Sequence, residues 1–352
     1  VWSDTFTRDL KDIFAVQDEI AGLIAQQLQL KLAVGSDRGT VDPALYEMLL
    51  QARSLTLRES NEDWRQAIAL YRRALAREPR LALAWAEMAR TYVQLGRFGG
   101  MPIQEAMREA RAAAQRALEL EPDQATGLVA LGWVQRTADW DWHGARQSFQ
   151  RALELAPGNA SVMGDVAVFY FNTGRVAEAK TLARQAVERD PLNARAQASL
   201  GFILNLNGDW EQALGPLRQA VALAPSIEEV RSHQARALMA LGRGPEAAAA
   251  AEQEPNEAYR LIARAFSAGP AADAALAEFV AKYGEEMPGY VANIHGIRGE
   301  IDPAFAWFER ALARRDAAVA WVKTNVNNRS LRTDPRWPIF LRKVGLADDQ
   351  LK

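Results

Sequence analysis

Cysteine is absent from the 352 residues, which excludes disulfides and thiolate chemistry and removes the usual redox clue to compartment. Long apolar runs are missing too. The longest strongly apolar stretch, Val166 to Phe171, falls far short of the ~18 residues of a membrane span. Charge of one sign is not in excess: 42 Lys+Arg against 44 Asp+Glu leave a formal net charge of -2. So small a net charge gives no support to electrostatic docking on nucleic acid or anionic lipid. Histidine is scarce, and His143, His233 and His295 are far apart, whereas a metal site needs converging ligands. No phosphate-loop, H-E-x-x-H or G-x-S-x-G motif occurs. Asp139 and Asp141 flank Trp140 without the Gly spacing and extra oxygens of a calcium loop, and read as a turn. The expectation is no catalytic residue, no cofactor and no metal.

What is present is repetition. Residues 160–193 and 194–227 align without gaps as two 34-residue blocks. Small residues fall at the eighth position (Ala167, Gly201) and the twentieth (Ala179, Ala213), where two helices of a unit come close. Gly174 and Gly208 hold the fifteenth position, suited to ending the first helix in the left-handed conformation. Ala186 and Ala220 hold the twenty-seventh, and Pro191 and Pro225, at the thirty-second, stop the second helix. Gly201 and Ala213 are expected to face each other across one helix pair. Fainter copies carry the pattern from Ala67, Tyr71 and Ala74 through to Phe308 and Ala311. An insertion falls near Gly96 to Gln104 and one extra residue near Trp140. The total is about eight units, each exposing an apolar side that the next covers.

This pattern resembles the tetratricopeptide repeat family over residues 43–316. The resemblance implies an all-α, right-handed superhelical solenoid with helical caps. It also implies a protein-interaction scaffold that binds a peptide or protein partner in its concave groove. In that family, first-helix positions two, five, nine and twelve line the groove. Carried over, positions nine and twelve nominate Arg90, Trp133, Arg136, Phe171, Phe202, Asn205, Arg236 and Met239, with Asn172 one residue further on. Aromatics supply contact area, Asn grips a peptide backbone and Arg forks a carboxylate. Members that clamp chaperone tails carry Lys and Asn at positions five and nine. Here position five is Gly164, Ala198 and Ser232, which argues against that ligand.

The ends differ. "VWSDTFTRDLKDIFAVQDEIAGLIAQQL" resembles the close of a TolB-like amino-terminal domain, which in bacterial signalling proteins of the cyclase or CadC type precedes such repeats. The expected organisation is a terminal helix of that domain over 1–34, a linker over 35–42, the solenoid over 43–316 and a capping segment over 317–352. The start at Val1 reads as a piece of a longer protein, with any cyclase or winged-helix domain upstream. The apolar face of the first helix offers a surface for dimerisation. A stand-alone assembly scaffold is the alternative reading. The expected location is the cytoplasm, the alternative being the periplasmic part of a membrane-anchored receptor.

Overall fold

Residues 43–267 and 269–351 are described by the computed structural model. The TolB-like reading, the linker and the proposed dimerisation helix lie outside them. Residues 51–352 form one body, separate from residues 1–50, and the contacts below belong to it.

Sixteen α-helices follow one another: α1 (Pro43–Thr56), α2 (Asn61–Arg77), α3 (Ala82–Arg97), α4 (Ile103–Leu120), α5 (Ala125–Val134), α6 (Trp142–Leu155), α7 (Ala160–Asn172), α8 (Val176–Arg189), α9 (Ala194–Asn207), α10 (Trp210–Leu223), α11 (Val230–Ala240), α12 (Gly244–Glu252), α13 (Glu257–Ala265), α14 (Pro270–Tyr283), α15 (Pro288–Arg298) and α16 (Ile301–Arg314). Taken in pairs, α3 to α16 are units two to eight of a right-handed solenoid of helix–turn–helix repeats. Two 3-10 turns, Ala317–Trp321 and Val326–Leu331, and α17 (Arg336–Lys343) complete the chain. No strand occurs among the described residues.

The repeat positions do the work their chemistry suggests. Ala167, Ala179, Ala186, Ala213 and Ala220 are fully buried. Gly174 and Gly208 have φ of 93° and 92°, a conformation that suits glycine because it lacks Cβ. Asn159 and Asn193 open the next first helices: their side-chain oxygens accept from Ser161, Val162 and Ala196 backbone N–H groups, filling orphan donors of the first turn. Neighbouring units share cores: Ala160, Met163, Ala186 and Ala196 pack together with Leu153, Leu182 and Val187. One expectation needs correcting. A Cβ on Gly201 would stand 2.6 Å from Leu217 Cγ, so the residue facing Gly201 is Leu217, one helical turn beyond Ala213.

The extra residue near Trp140 is absorbed as a π-turn, Gln135–Asp139, which continues α5. Wider turns of this kind accommodate an inserted residue without ending the helix. The turn is closed by Trp140 in the left-handed region and by Asp141, whose side chain caps α6 at Gly144 N–H.

The segment after α16 does two things. Phe340 on α17 stacks on Phe308 of α16, centroids 4.7 Å apart, and so closes the last unit. The 3-10 turns instead run inward. A Cβ on Gly174 would meet Lys323, and one on Gly208 would meet Val326. The segment therefore crosses the C-terminal ends of α7 and α9, on the inner side of the superhelix.

Candidate functional site

Position nine of the fifth unit shows what this crossing does. The Phe202 ring lies 6.2 Å from Phe171, 5.2 Å from His233 and 5.6 Å from Trp321. Trp321 in turn meets Tyr290 at 5.4 Å. Position twelve is filled from the same side: Asn205 is fully buried and its Nδ2 donates to the His233 carbonyl at 3.0 Å. Arg236 is buried beneath Asn325 and Asn327. Its Nη2 is 3.5 Å from Asn325 Oδ1, and the Asn327 amide, oriented by its neighbours, turns its oxygen to within 3.1 Å of Arg236 Nε. Burial pushes this guanidinium down to about 9. Phe171 and Asn172 are fully buried, and neither amide atom of Asn172 has a hydrogen-bond partner among the described residues. Met239 packs with Leu214, Leu238 and Ala247 between helices.

Trp133, at position nine two units earlier, is buried. Its Nε1–H donates to Asp165 Oδ1 at 2.9 Å. The guanidinium carbons of Arg97 and Arg136 lie 4.0 Å and 4.7 Å from its ring centre. Arg136 comes from the π-turn. Its Nη1 donates to Thr137 Oγ1 at 3.2 Å, and its Nε has no partner. Burial, and then the charge of Arg97, hold its pKa well below the usual guanidinium value. The structure thus brings Trp133, Arg136, Phe171, Asn172, Phe202, Asn205 and Arg236 into the closed interior of the superhelix.

Arg90 is different. It stands on α3 with about a quarter of its side chain exposed (24%), and its Nε is 3.8 Å from Asp165 Oδ2. Burial works against its charge, but the carboxylates of Asp165, Glu87 and Glu59 outweigh it and raise the pKa. Arg90 lies on the floor of an open groove made of two adjoining pockets of about 260 and 370 Å³. Both are lined by Thr56, Leu57, Glu87, Arg90, Ser161, Asp190 and Asn193. One wall is α3 and the end of α1; the other is the N-terminal turns of α7 and α9. Leu57 and Leu192, 63% and 74% exposed, form an apolar rim. The inner face is therefore divided: the C-terminal halves of the first helices are covered by the chain itself, and the N-terminal turns stay open. Ser161 and Thr126, at position two of their units, line this open part. The 34-residue register contains that signal, since position two is one of the four groove-lining positions of the repeat.

Two buried carboxylates flank the interior. Glu254 accepts from the Glu229, Ser232 and Asn256 backbone N–H groups, and burial pushes it up to about 7. Asp316 accepts from Gly289 and Ala318, and burial pushes it up to about 6. A carboxyl whose folded pKa is raised stabilises the fold below its ordinary pKa, and that contribution is lost as pH rises through the folded value. The chain should therefore unfold at lower temperature at about pH 8 than at about pH 5, by an amount equivalent to a few kcal/mol. Glu254→Gln should flatten that slope. A profile that rises over this interval would contradict the assignment.

Among the described residues no group of three or more His, Asp or Glu could hold a metal ion, and no helix is long and apolar enough to cross a membrane.

Comparison with known proteins follows the same lines. Residues 56–100 and 137–201 each match a family model described as tetratricopeptide repeat. "Putative adenylate cyclase 3" of Rhizobium meliloti is 30% identical over 150 residues, 39% of this chain and 25% of the relative. "Cytochrome c-type biogenesis protein CycH" of Pseudomonas aeruginosa is 31% identical over 129 residues, 36% of this chain and 31% of the relative. The aligned part thus spans under a third of the length of either relative. In fold, the chain is similar to a monomeric mutant of IFIT1 solved with Gppp-AAAA, with a TM-score of 0.52, 14% identity, and coverage of 87% of this chain and 82% of that one. Residues 56–100 and 137–201 thus carry tetratricopeptide repeats, and the stacked helix pairs around them have the solenoid fold.

Proposed function

We propose that the chain is a protein-interaction module that holds an extended peptide or protein segment in the groove between α3 and the N-terminal turns of α7 and α9. One observation carries this reading: the groove is the open part of a repeat face that is otherwise filled, and the Arg90 guanidinium on its floor is under-used. Among the described residues the Arg90 side chain makes the 3.8 Å contact to Asp165 and no hydrogen bond. The Asn193 amide at the rim spans Ser161 Oγ and Asp190. A guanidinium donor beside exposed leucines suits the carbonyls of a peptide main chain with an apolar side chain next to it. Such interfaces concentrate their energy in a few residues.

Similarity to "Putative adenylate cyclase 3" of Rhizobium meliloti favours placing this module in a bacterial signalling protein, where cyclase or winged-helix regulation would lie outside the solenoid. Similarity to a cytochrome c-type biogenesis protein supports a second reading, an assembly scaffold without a signalling domain. In neither does the solenoid itself act as the enzyme.

The test is a peptide-display selection on the purified chain, scored against a Ser161→Trp variant that fills the groove. Selected peptides should bind the variant at least about tenfold more weakly, a loss of roughly 1.4 kcal/mol, while its helical signal is unchanged. Equal binding to both proteins would place the interaction elsewhere.

A further inference from the structure

Four non-glycine residues among those described have left-handed backbone: Glu59 (φ 59°), Trp140 (56°), Glu229 (71°) and Arg315 (51°). Residues bearing a Cβ are disfavoured there. Such conformations persist where the surroundings hold them, and they gather at sites that switch. The four are not scattered. Glu59 and Glu229 stand on the two sides of one contact, and Trp140 and Arg315 on the two sides of another. Both contacts tie distant turns of the superhelix together.

In the first contact, Asn61 donates from its backbone N–H and its Nδ2 to Glu228, at 3.2 and 3.0 Å, across 167 residues. Ser226 Oγ donates to the Arg58 carbonyl at 2.5 Å. Glu59 pairs with Arg195 of α9. In the second, Arg315 Nη1 donates to the Ala138 carbonyl at 2.9 Å across 177 residues, and its guanidinium lies 5.5 Å from the Trp140 ring. The first contact is made of polar groups that are incompletely satisfied: Asn61 Oδ1 and Arg195 Nε are buried without partners. Polar contacts of that kind are replaced by water on separation at smaller cost than apolar packing.

We propose that these two contacts are latches of a superhelix that opens. Strained backbone on both sides of each latch biases the chain towards release, and opening uncovers the interior from Trp133 to Arg236. This inference concerns the chain alone and does not rest on what occupies the groove.

The absence of cysteine allows background-free spin labelling of the full chain. Cysteines replacing exposed Arg73 on α2 and Ala249 on α12 report the separation across the first latch by pulsed electron resonance. The labelled chain should give one short distance. Adding Asn61→Ala with Glu228→Gln should bring in a population longer by more than about one helical turn, ~5 Å, at unchanged helical signal. If that double variant loses its helices, Ser226→Ala decides by the same criterion, since it removes only the hydrogen bond to the Arg58 carbonyl across the same latch. A distance distribution that stays the same in the folded latch variant would overturn the proposal and leave closure to apolar packing.

Discussion

Trp133→Ala is expected to destabilise the chain by about 3–5 kcal/mol, whereas Arg90→Gln should cost about 1 kcal/mol. The two residues hold the same repeat position, nine, in adjacent units. Trp133 is 2% exposed, meets the Phe149 ring edge-on at 5.8 Å, and carries Arg97 and Arg136 close to its own ring. Its loss leaves a cavity, an Asp165 without its indole donor, and the Arg136 guanidinium without its aromatic neighbour. Each adds to the transfer term. Arg90 faces the groove and gives up one ionic contact of 3.8 Å. Urea unfolding of the two variants at one pH measures the difference. Similar losses would mean that Trp133 is as open as Arg90.

The second large effect concerns two glycines of one helix pair. Gly201→Ala is expected to cost about 1–3 kcal/mol, because the new Cβ would lie 2.6 Å from Leu217 Cγ and Cδ2 and 3.3 Å from the Leu217 backbone nitrogen. Side-chain atoms can yield, but the backbone of α10 can do so only by moving the helix. Gly215→Ala, two residues before Leu217, should instead change stability by less than about 0.5 kcal/mol: beyond its own helix and chain neighbours nothing lies within 4 Å of a Cβ there, and the helical gain of Ala over Gly is offset by crowding against Pro216. Thermal melts of both variants settle the matter. A Gly201→Ala melt at or above the parent would show that α9 and α10 are not in the contact described.

These residues also show how far the sequence could be read. Ala167, Ala179, Gly174 and Gly208 declared the helix pairs because their roles are local: a close approach within one unit and a turn inside one unit. The inner face was legible as a direction but not in its covering. Register says that Phe202 and Arg236 point inward. It does not say that Trp321 and Asn325, the latter 89 residues from Arg236, come back to meet them. The segment that does so consists of 3-10 turns rich in Asn, with no helical periodicity to mark which side is buried. Arg90 escaped covering because the segment crosses α7 and α9 and not α3. The extra residue near Trp140 was visible as an insertion. Its form as a π-turn, and the burial of Arg136 that follows, depend on the stacking of Arg136 and Arg97 against Trp133, which no spacing rule contains.

The central claim is that the chain's own C-terminal segment fills the C-terminal half of the inner face. A double-mutant cycle between Phe202 and Trp321 tests it most directly. Phe202→Ala, Trp321→Ala and the double variant are compared with the parent in urea unfolding. Rings 5.6 Å apart should couple by about 1 kcal/mol, so that the second substitution costs less once the first has been made. Strictly additive losses, with coupling below about 0.3 kcal/mol, would contradict the claim and leave this part of the face free for a partner.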